Sequence, residues 1–145
     1  MMQQLRRRLT ARRDGGRDGG MSSIEFVITT PILFALLFLL VQFALYFFGD
    51  QVVQAAAQAG ARKARATADA DPGGWRGQAR DTAVNRINSL GPALAGGAVI
   101  STDQTGPDTV RVTVQAQVKT VIPWLHLTTT AVSEGPIERF VPDGG

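Results

Sequence analysis

From Phe26 to Gly49 the chain carries no charged residue, and Gln42 is the one strongly polar side chain among Val, Ile, Leu, Phe, Ala, Thr, Pro and Tyr. At about 1.5 Å per residue this stretch reaches roughly 36 Å as a helix, against a hydrocarbon thickness of roughly 30 Å. It is apolar all round, and the rest of the chain has too few large apolar groups to cover such a cylinder. The pattern therefore predicts one transmembrane helix over residues 21–49. Pro31 falls in its second turn, where a missing N–H costs less than at mid-span. Residues 50–71 are rich in Ala and Gln without Pro, so the helix is expected to continue out of the bilayer until Pro72-Gly73-Gly74 stops it. Ala56 and Gly60 stand at small-xxx-small spacing, which permits close helix approach.

The pattern then shortens. Trp75, Ala79, Ala83, Ile87 and Leu90 recur at helical spacing with Arg76, Arg80, Asp81 and Arg86 elsewhere on the wheel, predicting a second, amphipathic helix that ends at Gly91-Pro92. After the Gly-rich stretch 91–97 the period becomes two. Val99 and Ser101 precede a turn at Thr105-Gly106-Pro107-Asp108, and Val110, Val112, Val114, Ala116 and Val118 then alternate with polar neighbours. This predicts a hairpin, with a third strand from about Leu125 to Ser133 and a stop at Gly135-Pro136. The fold class is α+β: a long helix that spans the membrane and continues beyond it, then a small domain over 75–141 with a second helix packed on an antiparallel sheet. The final Pro142-Asp-Gly-Gly is expected to fray.

Composition narrows the chemistry. A chain of 145 residues with no Cys and one His, His126, allows neither a disulfide scaffold nor a thiolate or His-rich zinc site. No metal, cofactor or small-molecule substrate is expected. The overall charge of +3 is uneven: residues 1–20 hold six Arg against two Asp, and the remainder holds nine basic and ten acidic side chains. The basic character belongs to the amino-terminal leader, and this argues against nucleic acid, which requires a cationic face on the folded part. Cations before the span and Asp50 directly after it predict a cytoplasmic amino end, with everything beyond Asp50 extracytoplasmic. His126 alternates with Leu125 and Leu127 and is expected to face solvent or a polar contact. Trp75 and Trp124 read as core or interface anchors. No nucleophile with a base and no phosphate-cradling loop is recognisable, so an enzyme is not expected.

The junction at the start of the span holds the informative residues, Gly19-Gly20-Met21-Ser22-Ser23-Ile24-Glu25-Phe26. The basic leader ends in glycine, and a carboxylate stands five residues later at the mouth of an apolar helix. A charge at a helix centre in lipid costs about 2.5–3.5 kcal/mol on insertion scales, less near the interface, so Glu25 requires a reason. In one account Ser22 caps the helix and Glu25 completes a Ser-x-x-Glu box at the positive end of the dipole. In the other, cleavage between Gly20 and Met21 frees an α-amino group, cationic at neutral pH, and Glu25 pairs with such an amine on a neighbouring subunit. Ala55 and Ala57 offer a rival, secretory-type cleavage site, but signal-peptide apolar regions run about 7–15 residues and this one is longer.

The basic leader, Gly20, Glu25-Phe26 and the Pro31-containing apolar helix resemble the class of prepilin signals cut by a prepilin peptidase. More narrowly, the stretch from Gly20 to Pro31 is similar to the opening of the TadE-like pseudopilins of tight-adherence (Flp) pilus systems. The likeness continues through Gln54-Ala-Ala-Ala-Gln-Ala-Gly60-Ala61-Arg62. It is looser over 109–134, in Val110-Arg-Val-Thr-Val, Ile122-Pro123-Trp124-Leu125 and Leu127-Thr-Thr-Thr-Ala-Val. The resemblance implies a minor pseudopilin, trimmed after Gly20, acting with other pilins or pseudopilins in pilus assembly or a related secretion system. The competing expectation is an uncleaved, membrane-anchored extracytoplasmic binding domain.

Overall fold

The structure, a computed structural model, describes residues 18–139, with side chains from residue 22 onward. The leader's six arginines and the carboxyl-terminal Pro142-Asp-Gly-Gly lie outside the described residues. Helix α1 spans Asp18–Thr67 and passes through Pro31; α2 spans Trp75–Leu90. The strands are β1, Ala95–Gly106; β2, Thr109–Val118; and β3, Leu127–Pro136. They form one antiparallel sheet in the order β1-β2-β3. The fold is α+β, as the periodicities predict. Contacts divide the chain into two units, residues 1–40 and 41–145, and α1 contributes to both.

In the first unit the described residues are helical, and their large apolar side chains, such as Ile32, Phe34 and Leu39, are exposed. The second unit is built around a strip of small residues on the later part of α1. Val53, Ala56, Ala57, Ala61 and Ala64 share one core with Trp75, Ala79, Ala83 and Ile87 of α2 and with Val110, Val112, Val114 and Ala116 of β2. The expected division at residue 75 does not describe this packing, since the helix beyond Gly49 is a wall of the α+β unit and not a free rod. Gly60 shows how tight the wall is. A Cβ there would stand 3.1 Å from the Ala79 carbonyl oxygen, 3.1 Å from Val112 Cγ1 and 3.3 Å from Ala83 Cβ. The small-xxx-small pair Ala56/Gly60 is therefore used inside the chain, against α2 and β2.

Helix α1 stops at Thr67, four residues before the expected end. The Thr67 hydroxyl donates to the Lys63 carbonyl at 2.7 Å, and Asp69 and Asp71 are unfavourable additions at the negative end of a helix dipole. Asp71 instead organises the turn into α2. Its Oδ1 accepts from the Gly74 N–H at 2.9 Å and its Oδ2 from Gln78 Nε2 at 2.9 Å.

The sheet is one-sided. Along β2 the even-numbered residues from Val110 to Val118 are buried, while Gln115 and Gln117 are exposed. Strand β1 is longer than its sequence predicts. It begins at Ala95 and carries an irregularity between Gly96 and Val99, where Gly97 adopts φ +57°, a left-handed conformation that glycine adopts without strain. The shift sends Val99 outward and Ile100 into the core. Strand β3 runs past Gly135 to Pro136, paired with Val110 and Thr109. Proline is tolerated there because β3 is an edge strand. Of the two tryptophans, Trp75 is 2% exposed and belongs to the core, whereas Trp124 is 81% exposed and does not. Leu90, the last member of the α2 stripe, is also exposed. His126 is exposed, as its alternation predicts.

Two glycines should respond oppositely to added volume. Gly60→Val forces a branched side chain against backbone and should lower the stability of the α+β unit by about 1–3 kcal/mol. Gly77, inside α2, has open space where a side chain would begin, with nothing within 4 Å of that point. Gly77→Ala should therefore raise stability by roughly 0.5–1 kcal/mol. Denaturant titration of the detergent-solubilised chain, followed by Trp75 fluorescence, distinguishes the two.

Candidate processing and membrane segment

The residues singled out at the junction lie on consecutive turns at the start of α1. The chain is helical throughout its first described residues, so Gly20, Met21 and Ser22 all lie within α1. Ser22 therefore does not occupy the N-cap expected of it. Glu25 falls one turn after Met21 and Ser22, and helical side chains lean toward the amino terminus.

Glu25 is exposed, and among the described residues no cation lies within ion-pair distance of it. Phe26 beside it is also exposed. From there α1 is long and apolar enough to cross a membrane, and no residue of its most apolar window is buried within the chain. A helix is a backbone solution for hydrocarbon because its N–H and C=O groups pair within the segment. Together these residues supply a charge at the entrance of a lipid-compatible helix; they supply no reactive constellation. Among the described residues, no group of three His, Asp or Glu side chains could hold a metal ion.

At the far end of the apolar stretch the structure adds two residues that sequence reasoning missed. Gln42, in sequence only the polar exception in the span, is 4% exposed. Its Oε1 accepts from the Val121 N–H at 2.9 Å. Asp50, in sequence only a charge that ends the span, accepts from the Thr129 hydroxyl through Oδ1 and from Gln54 Nε2 at 2.6 Å through Oδ2. Gln42 and Asp50 are eight residues apart, about two helical turns, and so share a face. They fasten the β2–β3 connection and β3 to the helix. The one available signal was an amide inside an otherwise apolar helix, which must find a partner when buried.

The comparisons with known proteins bear on the same segment. No curated protein and no solved structure matches the chain. The family model described as TadE-like protein matches residues 20–62, from the glycine of the junction to the arginine that closes Gly60-Ala61-Arg62; the looser likeness over 109–134 lies outside it. Over this segment, which holds Glu25, the apolar helix and the small-residue wall, the chain is similar to the TadE-like family.

Proposed function

We propose that the protein is a minor pseudopilin of a tight-adherence-type system, a structural subunit and not a catalyst. In this reading it is made with its basic leader in the cytoplasm, trimmed between Gly20 and Met21 by a prepilin peptidase, and held in the cell membrane by one helix with its α+β unit on the extracytoplasmic side. Its partners are the peptidase and other pilins or pseudopilins. The observation that carries the reading is the exposed Glu25, five residues after Gly20 at the entrance to an apolar helix. Trimming creates an α-ammonium at Met21. A Glu25 carboxylate and a neighbour's ammonium, brought together at the membrane boundary, relieve each other's desolvation cost and set the axial register of two helices.

One observation favours the uncleaved anchor: the Gly20-Met21 bond is helical, and a protease cleft takes extended chain. The obstacle is small. Two consecutive glycines, Gly19 and Gly20, lower helix propensity by roughly 1 kcal/mol each relative to alanine and so favour local opening.

Amino-terminal sequencing of the membrane-extracted protein, from cells with an active peptidase, should find Met21 as the first residue. Gly20→Leu should leave the leader in place. A wild-type chain that still begins at Met1 under those conditions overturns the trimming step and leaves the anchored binding domain as the better reading.

Glu25→Leu should insert and be trimmed normally, yet its co-purification with pilus components should fall by about tenfold or more. That is the change expected from loss of one charge-assisted hydrogen bond. Unchanged co-purification removes Glu25 from assembly.

A further inference from the structure

The β2–β3 connection, residues 119–126, carries Trp124 on a tight turn closed by the Leu125 N–H donating to the Ile122 carbonyl at 3.1 Å. Trp124 is 81% exposed and Val121 41% exposed. Pro123, between them, is exposed as well. Such a surface is costly in water, and the connection is not free to fold it away. The Val121 N–H is held by Gln42 at 2.9 Å, and the Lys119 N–H donates to the Leu94 carbonyl at 3.2 Å.

The position of that tether along α1 bears on what could cover the turn. Gln42 stands seven residues before the end of the charge-free stretch at Gly49. Counting about twenty residues for the hydrocarbon from Phe26 puts its far boundary near residue 45, within one helical turn of Gln42. Close by on α1, Phe43 is 68% exposed and Tyr46 is also exposed. Trp and Tyr concentrate where acyl chains meet headgroups, because each ring has an apolar body and a polar edge. Lys119, exposed at one end of the connection, adds a cation suited to lipid phosphate.

We propose that residues 119–126 are a second membrane contact, with Trp124 seated at the headgroup–acyl boundary of the leaflet from which α1 emerges. This rests on the reading of α1 as a single bilayer crossing. The anchor does not depend on trimming at Gly20 or on which side of the membrane the α+β unit lies. It fixes how the unit stands on the bilayer: a helix alone leaves rotation about its axis unrestrained, whereas a helix and an interfacial turn together define a plane.

The test uses the full chain in liposomes. Trp75→Phe leaves Trp124 as the sole tryptophan, and the difference between wild type and Trp124→Phe reports the same residue with the core intact. Trp124 emission should be blue-shifted relative to the denatured chain and shielded several-fold from aqueous acrylamide. It should be quenched more strongly by lipids brominated near the headgroup than by lipids brominated near the acyl terminus. Gln42→Leu should release the turn and reduce that shallow quenching several-fold. Water-like emission with full acrylamide access, in protein that still floats with the liposomes, overturns the anchor and leaves the crossing intact. A blue shift with neither quencher effective means that protein covers the turn, and also overturns it. Protein that fails to float removes the crossing and the anchor together.

Discussion

One helix has to satisfy two solvents. Helix α1 runs without a break from Asp18 to Thr67, its ladder missing only the N–H that Pro31 lacks, while the character of its side chains changes along it. From Phe26 to Phe48 they are almost all apolar, with Gln42 the one strongly polar exception; from Gly49 onward they become a strip of glycine, alanine and valine backed by Gln51, Gln54, Gln58 and Arg62. The first arrangement is soluble only in something as apolar as itself, the second only when the strip is covered. The α+β unit supplies that cover. Because the strip is made of small residues, α2 and β2 approach close to the α1 axis, and a unit with few large apolar side chains still excludes water from its interior.

What could be read in advance was whatever a short window of sequence specifies. The charge-free stretch from Phe26 to Gly49, the Trp75-Ala79-Ala83-Ile87 stripe and the alternation from Val110 to Val118 each carry their own period, and each forms the element that period predicts. The Pro107-Asp108 turn did the same. The residues that were hard to read depend on distant partners or on a break in period. The early part of β1 is Gly-rich and mostly polar, so its pairing with β2 leaves little trace in composition, and the irregularity after Gly96 inverts which of Val99 and Ile100 faces inward. The role of residues 50–67 was hidden for a related reason. An Ala-rich helix has the same local signature whether its small face is covered or bare.

The candidate site divides along the same line. Gly20, Met21 and Glu25 stand out in linear order, and the structure alters only a detail: with the chain already helical at residues 18–21, Ser22 is not a cap. Gln42 and Asp50 are the opposite case. Their partners, Val121 and Thr129, are each 79 positions away, and no local pattern announces them. Each such bond contributes a net of about 0.5–1.5 kcal/mol, small beside the buried apolar area. Its larger effect is on register. A slip of β3 by one residue would carry Thr129 and Ala131 to the solvent face and leave the Asp50 carboxylate without the Thr129 hydroxyl.

This division of labour bears on where a neighbouring subunit can pack. Close helix association in a membrane requires small residues on the contacting face, and in this chain the obvious small residues, Ala56, Gly60 and Ala64, are already covered by α2 and β2 within the same molecule. Lateral contact through that face would require the α+β unit to come apart. If subunits pack laterally, the surface left is the earlier part of α1, where from Ser22 to Gly49 the apolar side chains are bulky and Glu25 is the one charged residue. Bulky apolar faces in lipid discriminate weakly between registers, since one Leu or Phe contact resembles the next. A single carboxylate discriminates sharply, because displacement from its partner leaves a charge in a medium that solvates it poorly. On the proposed reading, affinity is spread along the helix and register is concentrated at Glu25, which would give an acidic residue a use at the entrance to a segment otherwise without charge.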